Sequence, residues 1–98
     1  MRRRARIDGN HAQVVAVLRR GGATVYSTAG VGDGFPDLVV GYRGVTHLIE
    51  VKDGTLTPSR QRLTDDEQDW HHMWLGEPVE IVRSESQAAH LIWYWSSG

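Results

Sequence analysis

The sequence has no cysteine. That excludes disulfide staples and thiolate metal sites, and it fits a reducing compartment, so a cytoplasmic location is expected. No apolar run approaches the roughly 18 residues that a membrane-spanning helix needs. The Arg-rich start, MRRRAR, has no apolar segment behind it and does not read as a secretory signal. Charge of one sign is missing too: eleven Lys and Arg against twelve Asp and Glu leave a formal net charge of −1, which excludes a uniformly basic nucleic-acid binder. Length is modest, at 98 residues, so one domain spanning 1–98 with a limited core is expected, and self-association is a reasonable way to stabilise it. The scarcest charged residue is lysine. Lys52 is the only one, and every other basic side chain is Arg.

The balanced charge is unevenly placed. Arg2, Arg3, Arg4 and Arg6 cluster at the start, and residues 1–6 read as a tail that is either solvated or an arm contacting phosphates. Asp65, Asp66, Glu67 and Asp69 cluster late. Periodicity and punctuation predict the order α-β-β-β-α-β-α. NHAQVVAVLRR has Val14, Val15 and Leu18 at helical spacing, with Asn10 or Asp8 as its cap and Gly21-Gly22 as its stop. ATVYST, DLVVGY and VTHLIEVK read as strands, the last two forming a hairpin around GYRG. After a polar loop, TDDEQDWHHMWLG reads as a helix opened by a Thr64–Glu67 capping box, with Trp70, Met73 and Trp74 as its buried stripe. PVEIVRS is a short strand. Ser84 or Ser86 caps a final helix carrying Ala88, Leu91, Ile92 and Trp95. Mixed elements in this order suggest an α/β fold, a central sheet with helices packed on it.

The chemistry concentrates in GFPDLVVGYRGVTHLIEVKDG. Side chains alternate faces along a strand, so Glu50 and Lys52 share one face. With the hairpin loop centred near Tyr42 and Arg43, Asp37 falls opposite Leu48 and Glu50 becomes its diagonal neighbour, about 7–8 Å away. Two carboxylates so placed can converge on a hard divalent cation such as Mg²⁺ or Mn²⁺, with the carbonyl of Val51 as a further oxygen. Such an ion polarises a phosphoryl oxygen and lowers the pKa of a water. A lysine beside it orients that water or stabilises charge on a phosphate, as a compact point charge that Arg does not match. An E-x-K pair alone is ordinarily a surface ion pair, and Pro-Asp alone is a common strand entrance. The two together, closing and opening paired strands, are not ordinary.

The Pro-Asp pair, twelve intervening residues and then EVK resemble the PD-(D/E)XK nuclease superfamily, and the element order resembles its restriction-endonuclease-like αβββαβ core. More narrowly, DGNHAQVVAVLRRGGATV, VGDGFPDLVVGYRG, LIEVKDG and LTDDEQDWHHMW look like the small stand-alone VRR-NUC proteins of phages and bacteria, over about residues 6–84. The resemblance implies that Asp37 and Glu50 are metal ligands and Lys52 the catalytic lysine. It implies a Mg²⁺- or Mn²⁺-dependent deoxyribonuclease acting on DNA as a homodimer, structure-specific and active on substrates such as four-way junctions, in replication, repair or recombination. The family often places a Glu on the first helix. Gln13 stands at the matching place here, and it can coordinate through its amide oxygen or hold a water but adds no charge. Gln68 falls in a recurring stretch of the later helix and is a candidate to reach the site or DNA.

Arg43 at the hairpin tip, with Arg60 and Arg62 after the site, are further candidates for phosphate contacts. Adjacent His71 and His72 diverge and make no ready zinc pair. GVGDG is followed by a strand, not a helix N-terminus, so it is not a dinucleotide loop. Trp93, Tyr94 and Trp95 are more aromatic surface than one helix easily buries and suggest core plus a subunit interface. Two rival readings remain at this point. One is a non-catalytic DNA-binding module with a decayed site, for which Gln13 speaks. The other is a subunit whose role is assembly, for which the C-terminal aromatics speak.

Overall fold

The computed structural model describes residues 7–98; the expected Arg tail, with Arg2, Arg3, Arg4 and Arg6, lies outside the described residues. Eight elements follow one another: α1 (His11–Arg20), β1 (Thr24–Ser27), β2 (Leu38–Tyr42), β3 (Val45–Val51), a 3₁₀ turn (Pro58–Gln61), α2 (Asp65–Met73), β4 (Glu80–Val82) and α3 (Glu85–Ser97). The strands lie in the order β1-β2-β3-β4. The first three are antiparallel, and β4 joins β3 in parallel, Glu50 opposite Ile81. The chain reaches β4 through α2, because parallel neighbours need a crossover. The order expected from periodicity is therefore observed, with the 3₁₀ turn added inside the loop that reads as merely polar.

One face of the sheet carries the core. Val14, Val15 and Leu18 of α1 pack with Val25, Leu38, Val40, Tyr42, Ile49, Val51, Val82 and Ala88. These strand residues are alternate positions, so Leu38, Val40 and Tyr42 face the helices while Asp37 and Val39 face away. Leu91, Ile92 and Trp95 of α3 close the edge of this cluster. Ser84 caps α3 by accepting from the Gln87 N–H. Asn10 stands at the N-cap of α1 but does not cap it. Its amide instead donates to the carbonyls of Lys52 and Arg83, tying the helix start to the ends of β3 and β4.

Two expectations are corrected. The hairpin turns at Arg43-Gly44, with Tyr42 opposite Val45 and Leu38 opposite Ile49. Both turn residues have positive φ, 49° and 82°, which suits the right-handed twist of the flanking strands. Gly44 takes that conformation freely and Arg43 tolerates it. The register continues to put Asp37 directly across from Glu50, not diagonal to it. Second, α2 buries no residue, and Met73 and Trp74 are largely exposed. The helix docks by its first turn, and its rings cover one another: Phe35 meets Trp70 edge-on and Trp70 stacks on Trp74. The C-terminal aromatics divide between core and surface. Trp95 stacks flat on His47 with centroids 3.8 Å apart, while Trp93 and Tyr94 face outward. Among the described residues no helix is long and apolar enough to cross a membrane.

Candidate active site

Asp37 stands just before β2, in a position held from both sides. Thr28 donates its N–H to the Asp37 carbonyl at 2.7 Å and its hydroxyl to the Pro36 carbonyl at 2.6 Å. One carboxylate oxygen of Asp37 then accepts the Val51 N–H at 2.8 Å. Glu50 is 1 % exposed and Lys52 8 % exposed, so neither is a surface ion pair. The Lys52 ammonium lies 3.7 Å from the Glu50 carboxylate and 2.8 Å from that of Glu67. These groups line an open cleft of about 720 Å³, together with Asp8, Phe35, Arg60 and Arg62.

Burial and mutual repulsion dominate the electrostatics. Burial, then the charge of Asp37 and the nearness of Glu67, push the Glu50 carboxyl up to about 10. Burial likewise raises Asp37 above its ordinary value, against the Val51 N–H that favours its anion. For Lys52, burial works downward but is outweighed by the hydrogen bond and charge of Glu67, and its pKa is raised. Burial pulls Glu67 upward, yet its bond to Lys52 leaves it lowered. Asp8 is raised by burial, with Lys52 opposing. Several carboxylates thus crowd one ammonium, and one of them keeps its proton at neutral pH.

The donor set fits a hard divalent cation. Oε1 of Glu50 is buried with no hydrogen-bond partner, an arrangement that costs energy unless a cation or donor meets it. Among the described residues no three His, Asp or Glu side chains group so as to hold a metal ion by themselves. A pair of carboxylates open to a cleft leaves room for waters and phosphate oxygens, which is what an open hard-cation site needs.

The remaining candidates divide. Val51 lines the cleft, and its N–H is engaged by Asp37. Arg60 and Arg62 lie at the cleft as expected. Arg43 sits at the opposite end of the hairpin, donating to the Ser96 carbonyl and lying over the Tyr42 ring, which removes it from the site. Gln68 donates to the Leu63 carbonyl and anchors the start of α2. Gln13 is exposed on α1 and does not line the cleft. From that end of the chain the site instead receives Asp8, just before α1, while the His11 ring hydrogen-bonds the Ser27 hydroxyl. Glu67 is the functional neighbour that sequence reasoning used only as a cap. Its signal, an acidic third position in a capped helix, carries no hint of a second partner fifteen residues away.

No protein-family model and no curated protein matches the sequence. A solved structure described as "VRR_NUC domain" superposes with a TM-score of 0.54 at 29% sequence identity, covering 86% of this chain and 95% of that one.

Proposed function

This chain is a VRR-NUC domain protein with a restriction-endonuclease-like fold, and we propose from that premise that it is a divalent-metal-dependent endonuclease hydrolysing DNA phosphodiesters. A nuclease-type function follows from the family; the metal, the substrate and the residue roles are our reading. The observation that carries it is the buried pair Asp37 and Glu50, face to face across the hairpin, with one Glu50 oxygen, Oε1, unpartnered and the other, Oε2, 3.7 Å from the sole lysine.

Asp37 and Glu50 would hold Mg²⁺ or Mn²⁺, with the Val51 carbonyl as a further oxygen. Such an ion, when bound, offsets phosphate charge and lowers the pKa of a water. Asp37 is fixed for this by the Val51 N–H on its carboxylate and by the Thr28 N–H on its backbone carbonyl. Lys52 points its ammonium into the cleft and stabilises negative charge developing on the phosphate, an effect strengthened by burial. Arg60 and Arg62 bind flanking phosphates and set the register of the strand. Gln13, exposed and away from the cleft, takes no part, so its neutrality does not argue for a decayed site. Exposed Trp93 and Tyr94 supply an apolar surface through which two copies would pair, presenting two clefts to a branched or two-stranded substrate.

The test is cleavage of labelled duplex, single-stranded and four-way-junction DNA with Mg²⁺, Mn²⁺ or EDTA, beside Lys52→Ala. Metal-dependent cleavage lost in the variant is expected. DNA binding without cleavage under any metal would replace this reading with a non-catalytic binding module.

A further inference from the structure

We infer that Glu67 is a positioning residue for catalysis: the carboxylate that closes the capping box of α2 also holds the Lys52 ammonium in the cleft. The inference rests on the nuclease reading above and adds a residue outside its motif. One oxygen of Glu67, Oε1, accepts from two donors, the Thr64 N–H at 2.8 Å and the Lys52 Nζ at 2.8 Å. In return the Glu67 N–H donates to the Thr64 hydroxyl at 3.2 Å. A lysine side chain on its own has four rotatable bonds and a strongly hydrated head, so it does not hold one direction. Here it is fixed at both ends, by β3 at its backbone and by α2 at its ammonium.

The helix itself is fixed in turn. Gly34, with φ +84°, lies against the first turn of α2 so closely that a Cβ there would collide with the Asp66 carbonyl oxygen. The loop that carries Asp37 therefore also sets the position of Glu67. Asp37 and Lys52, which adjoin the ends of different strands, are tied into one frame through α2. This gives the acidic start of α2 a role beyond complementing the helix dipole, which Asp65 and Asp66 already serve.

Two variants separate the roles. Glu67→Gln keeps a residue that serves a capping box but removes the charge that holds Lys52. Thr64→Ala weakens the cap and leaves the Glu67 carboxylate in place. Each would be measured for melting temperature and for kcat and KM on the DNA that the wild type cleaves. Because Lys52 is the only lysine, selective labelling gives one side-chain NMR signal, whose ε-methylene protons are inequivalent when the ammonium is held. Glu67→Gln is expected to lower kcat about tenfold or more with KM within about twofold, and to collapse the lysine signal to that of a free side chain. Thr64→Ala is expected to melt lower yet keep kcat within about threefold and retain the held lysine signal. Activity that follows melting temperature across both variants, or a Glu67→Gln lysine signal unchanged from wild type, overturns the inference. A wild type that cleaves no DNA overturns the nuclease reading instead, and the lysine signal still decides whether Glu67 holds Lys52.

Discussion

Glu50→Gln tests the electrostatic account of the site without relying on catalysis. The folded protein holds a proton on Glu50 up to about pH 10, while the unfolded chain releases it near the ordinary glutamate value of 4.5. Between those limits the native state binds more protons than the unfolded state, so stability falls as pH rises. One proton gives a slope of at most about 1.4 kcal/mol per pH unit. For a domain of this size that is a drop of roughly 5–10 °C in melting temperature per unit. Asp37, also raised by burial, acts in the same direction; Glu67, whose pKa is lowered from 4.5, acts in the opposite one only below this window, being ionised in both states throughout it.

Gln resembles the protonated carboxyl in shape and can donate where that proton does. The metal-free variant should therefore melt at or above the wild-type temperature at pH 8, with most of the pH slope gone. A divalent cation has the reverse effect on the wild type. It must displace the Glu50 proton, so its affinity should rise with pH, by up to about tenfold per unit. At a concentration one hundred times its dissociation constant it stabilises by about 2.7 kcal/mol, roughly 10–20 °C. In the variant that shift should be largely lost. Melting curves from pH 5.5 to 8.5, with EDTA or with Mg²⁺ or Mn²⁺, measure both effects. A variant that keeps the wild-type metal shift, or the wild-type pH slope, refutes the assignment of Glu50.

Two other perturbations follow from the geometry. Asp37→Ala strips the acceptor from the buried Val51 N–H and should cost about 1–3 kcal/mol in denaturant unfolding, whereas Asp37→Asn, which still accepts there, should fold nearly as well as wild type and still fail to cleave. Arg60→Ala and Arg62→Ala should each weaken DNA binding and reduce the slope of log affinity against log salt by about 1, while Arg43→Ala, bonded to the Ser96 carbonyl at the far end of the hairpin, should leave both unchanged.

What the sequence made legible was whatever local pattern dictates. Val14, Val15 and Leu18 repeat at helical spacing and are buried together. Thr64 and Glu67 form the capping box that their spacing announces. The Pro-Asp and Glu-x-Lys blocks were readable because they stand at the entrance and exit of two paired strands, where alternation puts Glu50 and Lys52 on one face. What failed were properties decided between elements. The hairpin register hinged on Arg43 accepting a positive φ, which its side chain does not advertise. Gln13 faced outward because the approach to α1, not its first turn, passes the cleft, and so Asp8 lines it. Trp70 and Trp74 have helical spacing that reads as a buried stripe, but stacked rings can shield each other without a sheet beneath them.

The register also gives the Pro-Asp pair a physical reason. Continued past Leu38 and Ile49, the pairing sets Asp37 against Glu50 and Pro36 against Val51. An ordinary strand residue at 36 would complete the ladder with its own backbone. Pro36 has no N–H to give, and its carbonyl accepts from the Thr28 hydroxyl at 2.6 Å. Proline therefore has no donor for the Val51 carbonyl, and with the Pro36 carbonyl turned to Thr28 the Val51 N–H is met instead by the Asp37 carboxylate at 2.8 Å. Proline ends the ladder one residue early, and aspartate fills the place so vacated. The same hydrogen bond that repairs the sheet fixes one oxygen of Asp37 and aims the carboxylate at Glu50. Strand termination and site construction are one event here, and a carboxylate pair costly enough to hold Glu50 protonated is kept in place by the backbone of the strand that carries it.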